Sequence, residues 1–120
     1  MAHILIVDDS SFARSTLKNK LTQAGHTVTE ASSGLEALEL VGSLAPDIIT
    51  IDLLMPGMEG LELLGHLRKI NPEFRVIVIS ADIQTLTREE LLAAGANAFI
   101  NKPVNIEALL QAIDRLVSQN

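Results

Sequence analysis

A chain of 120 residues is the size of one domain, and its 48% hydrophobic content is enough to bury one sizeable core. The net charge of −6 runs against the basic footprint of a dedicated nucleic-acid binder, and the absence of cysteine excludes disulfides and thiolate metal sites. No apolar run approaches a membrane span, and Met1-Ala2-His3 lacks the basic region of a signal peptide, so one soluble cytoplasmic domain over 1–120 is expected.

In chain order, the first apolar run is Ile4-Leu5-Ile6-Val7, continuous and largely β-branched, as in a strand covered on both faces. Leu17, Leu21 and Ala24 then recur at helical spacing, with Ala24-Gly25 as a C-cap. Thr27-Val28-Thr29 reads as a short, more polar edge strand. Ser32-Ser33-Gly34 opens a helix marked by Leu38, Val41 and Leu44. Ile48-Ile49-Thr50-Ile51 is the third strand, followed by a helix with Leu64, Leu67 and Ile70 that Asn71-Pro72 breaks. Val76-Ile77-Val78-Ile79 is the fourth. Thr87 and Glu90 have capping-box spacing before Leu91 and Ala94, and Ala94-Gly95 closes that helix. Ala98-Phe99-Ile100 is the fifth strand. Asn105 caps a final helix striped by Ile106, Leu109, Leu110, Ile113, Leu116 and Val117.

Five strand–helix units with right-handed crossovers predict a doubly wound α/β sandwich of three layers. Ligands of such open sheets bind outside the carboxyl ends of the strands. The residues there are Asp8-Asp9 after the first strand, Asp52 after the third, Ser80 after the fourth and Asn101-Lys102-Pro103 after the fifth. Converging carboxylates resist ionisation unless a cation joins them. An all-oxygen set with few protein ligands suits magnesium, which keeps waters and bridges to phosphate oxygens. A nearby lysine balances the charge of an incoming phosphoryl group.

Taken singly, each residue has a plainer reading. Asp8 or Asp9 could cap the first helix, Asp52 could start a turn before Pro56, Ser80 could be a loop serine, and Lys102 a solvated lysine. What these readings leave unexplained is the joint occurrence at successive strand ends.

Leu5-Ile6-Val7-Asp8-Asp9 resembles the acidic signature of response-regulator receiver domains. Asp52-Leu53-Leu54-Met55-Pro56-Gly57-Met58-Glu59-Gly60 resembles their phosphoacceptor loop, Ser80-Ala81 their hydroxyl-plus-small-residue step, and Lys102-Pro103 their lysine–proline pair. The match runs the length of the chain in the right order, and the layout resembles the CheY-like single-domain type. The resemblance implies a parallel sheet of order 2-1-3-4-5, as in flavodoxin-like folds. It implies a signalling switch rather than a turnover enzyme. Asp52 would take a phosphoryl group from a sensor histidine kinase or histidine phosphotransfer protein. Asp9, Asp52 and the Leu54 carbonyl would bind Mg2+ directly, with Asp8 holding a metal-bound water or a more distant place.

By the same resemblance, Lys102 would pair with a phosphoryl oxygen and be followed by a cis peptide to Pro103, and Ser80 would swing in to the phosphoryl group. Phe99 falls at the aromatic switch position, although an aromatic there also fits simple core packing; the small Ala81 leaves it room. The output face would be the fourth helix, fifth strand and fifth helix, read by a downstream effector, with a phosphatase as a further partner and chemotaxis or motility as one setting. A monomer is expected, with dimerisation on phosphorylation as the variant, and neither nucleic acid nor membrane as partner.

Leu54 and Asp82, two residues beyond Asp52 and Ser80, bear oppositely on water reaching an aspartyl phosphate, and Val104 stands where the family often has phenylalanine. Ser118-Gln119-Asn120 is compatible with a free-standing regulator or a receiver cut from a longer one. Other chemistries lack their parts. His3, His26 and His66 are scattered, and neither G-x-G-x-x-G nor G-x-x-x-x-G-K-[ST] occurs. A flavoprotein would need aromatic platforms, but the aromatics are three phenylalanines. A haloacid-dehalogenase-like phosphohydrolase would need an acid where Leu54 stands. A degenerate receiver would have lost part of the acidic, hydroxyl and lysine set.

Overall fold

Apolar residues on successive positions of a strand can be buried only if both faces of the sheet are covered. This holds for the runs at 4–7, 48–51 and 76–79 in the computed structural model, which describes residues 1–53, 58, 60–81 and 88–119, whereas the run at 98–100 is only partly buried. The elements alternate as β1 (His3–Val7), α1 (Ser11–Gln23), β2 (Thr27–Ala31), α2 (Gly34–Leu44), β3 (Ile48–Ile51), α3 (Gly60–Ile70), β4 (Val76–Ser80), α4 (Arg88–Ala93), β5 (Ala98–Asn101) and α5 (Ile106–Ser118). All strand pairs are parallel, in the order β2-β1-β3-β4-β5. The polar run at Thr27–Thr29 is thus an edge strand, as its composition predicts, and β5 forms the other edge.

Side chains alternate between two cores. Leu5, Val7, Ile49, Ile51, Val76 and Val78 face α2, α3 and α4. Ile4, Ile6, Ile48, Ile77 and Ile79 face α1 and α5, meeting Leu21, Leu109, Ile113 and Leu116. Burying one such side chain stabilises by about 1.5–3 kcal/mol. The two layers of helix therefore hold the sheet from both sides.

Two helices sit differently from their expected stripes. In α2 the buried positions are Gly34, Ala37 and Val41, whereas Leu38 and Leu44 are only partly buried. Leucines surround that helix, so periodicity alone does not select the face, and the small residues let it lie close to the sheet. In α3 Leu63 joins Leu64 and Leu67 in the core, while Ile70 at the helix end is 53% exposed.

The punctuation follows local chemistry. Ser10, Ser33 and Asn105 are N-caps whose side chains accept from the Ala13, Glu36 and Ala108 amides. Gly25 and Gly95 hold φ of 96° and 107°, a backbone region that disfavours any Cβ. Helix α2 instead ends on Ala45 in the left-handed conformation, φ 47°, which the sequence did not signal. Asn71 follows the last residue of α3, and its Oδ1 accepts from the Glu73 amide. Thr87, half of the predicted capping box, lies outside the described residues.

Candidate phosphoacceptor site

The sheet ladder runs one residue past β1 and β3, where the Asp8 amide donates to Ala31 O and the Asp52 amide to Val7 O. Both aspartates therefore leave the sheet at a common height. Their side chains stand over the α1–α5 core, on a floor that includes Ile6, Thr50, Ile79 and Val104 around a cavity of about 40 Å3. Asp8 is 7% exposed and Asp52 9%. Carboxylates so placed need a cation or donors close by.

Lys102 supplies the cation. Its Nζ lies 2.8 Å from Asp52 Oδ2 and 3.1 Å from Asp8 Oδ2. Half-burial works against the ammonium, but the hydrogen bonds to Asp52 and Asp8 and their charges outweigh it and raise the Lys102 pKa. The lysine arrives from the far edge of the sheet, and its amide donates to Ser80 O. The Lys102–Pro103 peptide is cis, as the resemblance implies. The solvated-lysine reading is thereby set aside.

Asp8 does not cap α1; Ser10 does. Asp8 Oδ1 accepts instead from the Ser10 amide at 2.9 Å, which shapes the turn between β1 and α1. Asp9 is exposed at the rim. The structure thus brings Asp8, Asp52 and Lys102 together and leaves Asp9 facing solvent. Among the described residues no group of three or more His, Cys, Asp or Glu side chains forms a metal-holding cluster. The donor chemistry nevertheless suits a hard cation, because Asp8 and Asp52 bring buried carboxylate oxygens to one rim and Asp9 follows Asp8 in the chain. Leu54, the expected carbonyl ligand, lies outside the described residues, as do Met55, Pro56, Gly57, Glu59 and Asp82.

The end of the loop that follows Asp52 is described. The Gly60 amide donates to Leu53 O at 3.0 Å, and a Cβ on Gly60 would stand 2.5 Å from Asp52 O. Only glycine lets α3 begin so close under the Asp52 backbone.

Ser80 ends β4 with no exposed surface, its backbone paired in register with Asn101. Phe99 on β5 is partly buried against the core on the α2–α4 side. Along the same edge, Phe99, Ile100, Ala108, Gln111, Ala112 and Arg115 border an open groove of about 420 Å3 between β5 and α5. A second groove, about 290 Å3, runs from the 81%-exposed Phe12 on α1 to Lys102 and Pro103.

Two features had no place in the sequence reading. Arg14, one turn into α1, donates from Nη1 to Asp8 O at 2.6 Å and from Nε to Glu30 at 3.3 Å. Arg68 spans the opposite rim, donating to the carbonyls of Gly95, Pro72 and Phe74 and to Asn97 Oδ1. An arginine four residues after a helix-capping serine is the one local hint for Arg14; Arg68 offers none.

Comparison with known proteins agrees with this geometry. The family model for the response regulator receiver domain matches residues 4–114. The chain is 40% identical over 114 residues to the chemotaxis protein CheY of Thermotoga maritima, covering 94% of this chain and 95% of that protein. It is 38% identical over 120 residues to the chemotaxis protein CheY of Bacillus subtilis, covering 98% and 100%. Among solved structures, the response regulator protein TrrA from Thermotoga maritima, in complex with Mg(2+)-BeF, superposes with a TM-score of 0.88 at 32% identity over 97% of this chain and 99% of that one. The aspartates, the buried serine and the lysine thus stand at the strand ends of a familiar switch: this chain belongs to the response regulator receiver family, CheY-like proteins of two-component signalling.

Proposed function

We propose that the chain, residues 1–120 as one receiver domain, accepts a phosphoryl group on Asp52 and carries the change to the α4–β5–α5 face. The observation that carries this reading is the Lys102 ammonium held between Asp52 and Asp8 at the strand ends. The same charge would meet a phosphoryl oxygen after transfer.

In the transfer, an Asp52 carboxylate oxygen attacks phosphorus in line with the departing histidine nitrogen of a kinase or phosphotransfer protein. The O–P bond forms as the N–P bond breaks. Asp52 and Asp9, with the Leu54 carbonyl, would hold Mg2+, and Asp8 would hold a metal-bound water or stand further off. When bound, that ion neutralises charge gathering on the phosphoryl oxygens. An ion held there would lessen the demand of the carboxylates on Lys102 and leave its ammonium able to meet a phosphoryl oxygen. Lys102 then follows the phosphoryl oxygens, and Ser80 donates to another.

The groove between Phe12 and Pro103 borders Lys102, so a partner helix seated there would bring its histidine toward Asp52. The groove between β5 and α5 is open to an effector, and Phe99 lies between it and the core. The likeness to CheY proteins favours an effector in chemotaxis or motility and a cytoplasmic monomer, with dimerisation or a phosphatase as later events. Leu54 and Asp82 would set how long the phosphoryl group survives.

Incubation with Mg2+ and acetyl phosphate should add one phosphoryl mass to the protein and none to Asp52→Asn. Equal labelling of the Asp52→Asn protein would overturn the assignment.

A further inference from the structure

Asp8 is fixed on every polar atom the backbone and side chain provide. Its amide donates to Ala31 O, Oδ1 accepts from the Ser10 amide, and Oδ2 from Lys102. Its carbonyl accepts from Arg14 Nη1 at 2.6 Å. That last bond reaches further than Asp8. The Asp8 carbonyl and the Asp9 amide belong to one planar unit, so gripping the carbonyl sets the direction in which Asp9 leaves the turn.

Arg14 is itself held. Its Nε donates to Glu30 on β2 at 3.3 Å, and only 15% of the Arg14 side chain is exposed. Glu30 also lies 3.6 Å from Lys18 and immediately precedes Ala31, whose carbonyl takes the Asp8 amide. A guanidinium near a cation site would repel the incoming ion. The Glu30 carboxylate offsets that charge and leaves the directional fork in place.

We propose that Arg14 and Glu30 form a positioning pair that sets the peptide between Asp8 and Asp9, and so pre-orients Asp9 for the divalent cation that Asp52 shares. The proposal rests on the Mg2+ site of the proposed function. It makes Arg14 a residue acting through the Asp8 carbonyl rather than on the phosphoryl group.

Arg14→Lys keeps the charge and loses the fork, so field effects are held constant. Glu30→Gln releases Arg14 from β2 and conserves shape. By calorimetric titration with Mg2+, Arg14→Lys should bind about tenfold more weakly, the usual effect of disturbing a residue that orients a metal ligand. Glu30→Gln should lose less, and the double variant should bind no worse than Arg14→Lys, since both changes break one chain. In metal-free protein, the Ser10 amide should exchange faster in both variants while amides in β3 and β4 keep their protection. A lower melting temperature with unchanged Mg2+ affinity and unchanged Ser10 exchange would make the pair merely structural and overturn the proposal. Additive losses in the double variant would overturn it too, pointing to simple field effects. If the unmodified protein takes up no Mg2+, the reading of the site falls and the proposal with it. If it does and the variants match it, the positioning role alone falls.

Discussion

At the scale of single residues, the site is organised around one point of positive charge. Lys102 holds that point between Asp52 and Asp8, and its pKa is raised because their hydrogen bonds and charges exceed the cost of burial. A lysine whose folded pKa is raised contributes its full stability below the ordinary value of about 10.4 and loses it as pH rises through the folded value. Lys102→Met should therefore cost about 1 kcal/mol from neutral pH to about pH 9, the low end for charge-assisted bonds because the ammonium is partly exposed. The gap should close in more alkaline solution, and melting curves over pH check it; a pH-independent gap would show that the ammonium contributes nothing. Gly60 poses the opposite problem, lack of room. Its added Cβ would meet Asp52 O at 2.5 Å and Leu53 Cα at 2.7 Å, both backbone atoms that cannot rotate away. Gly60→Ala should cost about 1–3 kcal/mol in denaturant unfolding and slow labelling by acetyl phosphate, since the displaced segment carries Asp52.

At the scale of elements, α3 is tied down at the end remote from the site. Arg68 reaches from its last turn to Gly95 O at 3.0 Å and Asn97 Oδ1 at 2.7 Å, joining α3 to the turn between α4 and β5. Asn97 Oδ1 also accepts from the Val76 amide, so one side chain links the start of β4 to this knot. Burial lowers the Arg68 pKa, with Glu73 pulling the other way. Arg68→Ala would strand several carbonyls and should cost about 2–3 kcal/mol. Arg68→Lys should recover little, because an ammonium cannot span the same fork. Mg2+ titration should be unchanged in both, since the knot lies at the opposite rim; a weakened affinity would mean that α3 transmits strain along the sheet. No sequence pattern announced this arginine, because its partners are carbonyls, which every residue possesses.

At the scale of the whole molecule, the proposed cation site would link binding to folding. The aspartates come from different strands and meet only in the folded sheet, so a cation that bridges them binds the native state and stabilises it. Mg2+ at about a hundred times its dissociation constant adds about 2.7 kcal/mol, a rise of several degrees in melting temperature. The rise should vanish in Asp52→Asn and shrink in Asp9→Asn; a flat response in the unmodified protein would remove Mg2+ from the account. The same layout places the two grooves on different flanks, one beside α1 and Pro103, the other along β5 and α5. A donor protein and an effector could thus meet separate surfaces.

Much of this was legible in the residues in order. Continuous β-branched runs declare strands covered on both faces, caps and glycines mark where helices begin and stop, and the rule that ligands gather at carboxyl strand ends singled out Asp8, Asp9, Asp52, Ser80 and Lys102. These depend on neighbours along the chain, which sequence records directly. What only the tertiary structure decided depends on distances between remote segments. Periodicity could not choose the buried face of the leucine-rich α2, nor show that Ser10 and not an aspartate caps α1. It could not show that Lys102 bridges Asp52 and Asp8 while Asp9 stays at the rim, or that Arg14 and Glu30 grip the turn between them. Those outcomes follow from where the sheet brings charges and carbonyls within hydrogen-bond reach, a condition set by packing and not by order along the chain.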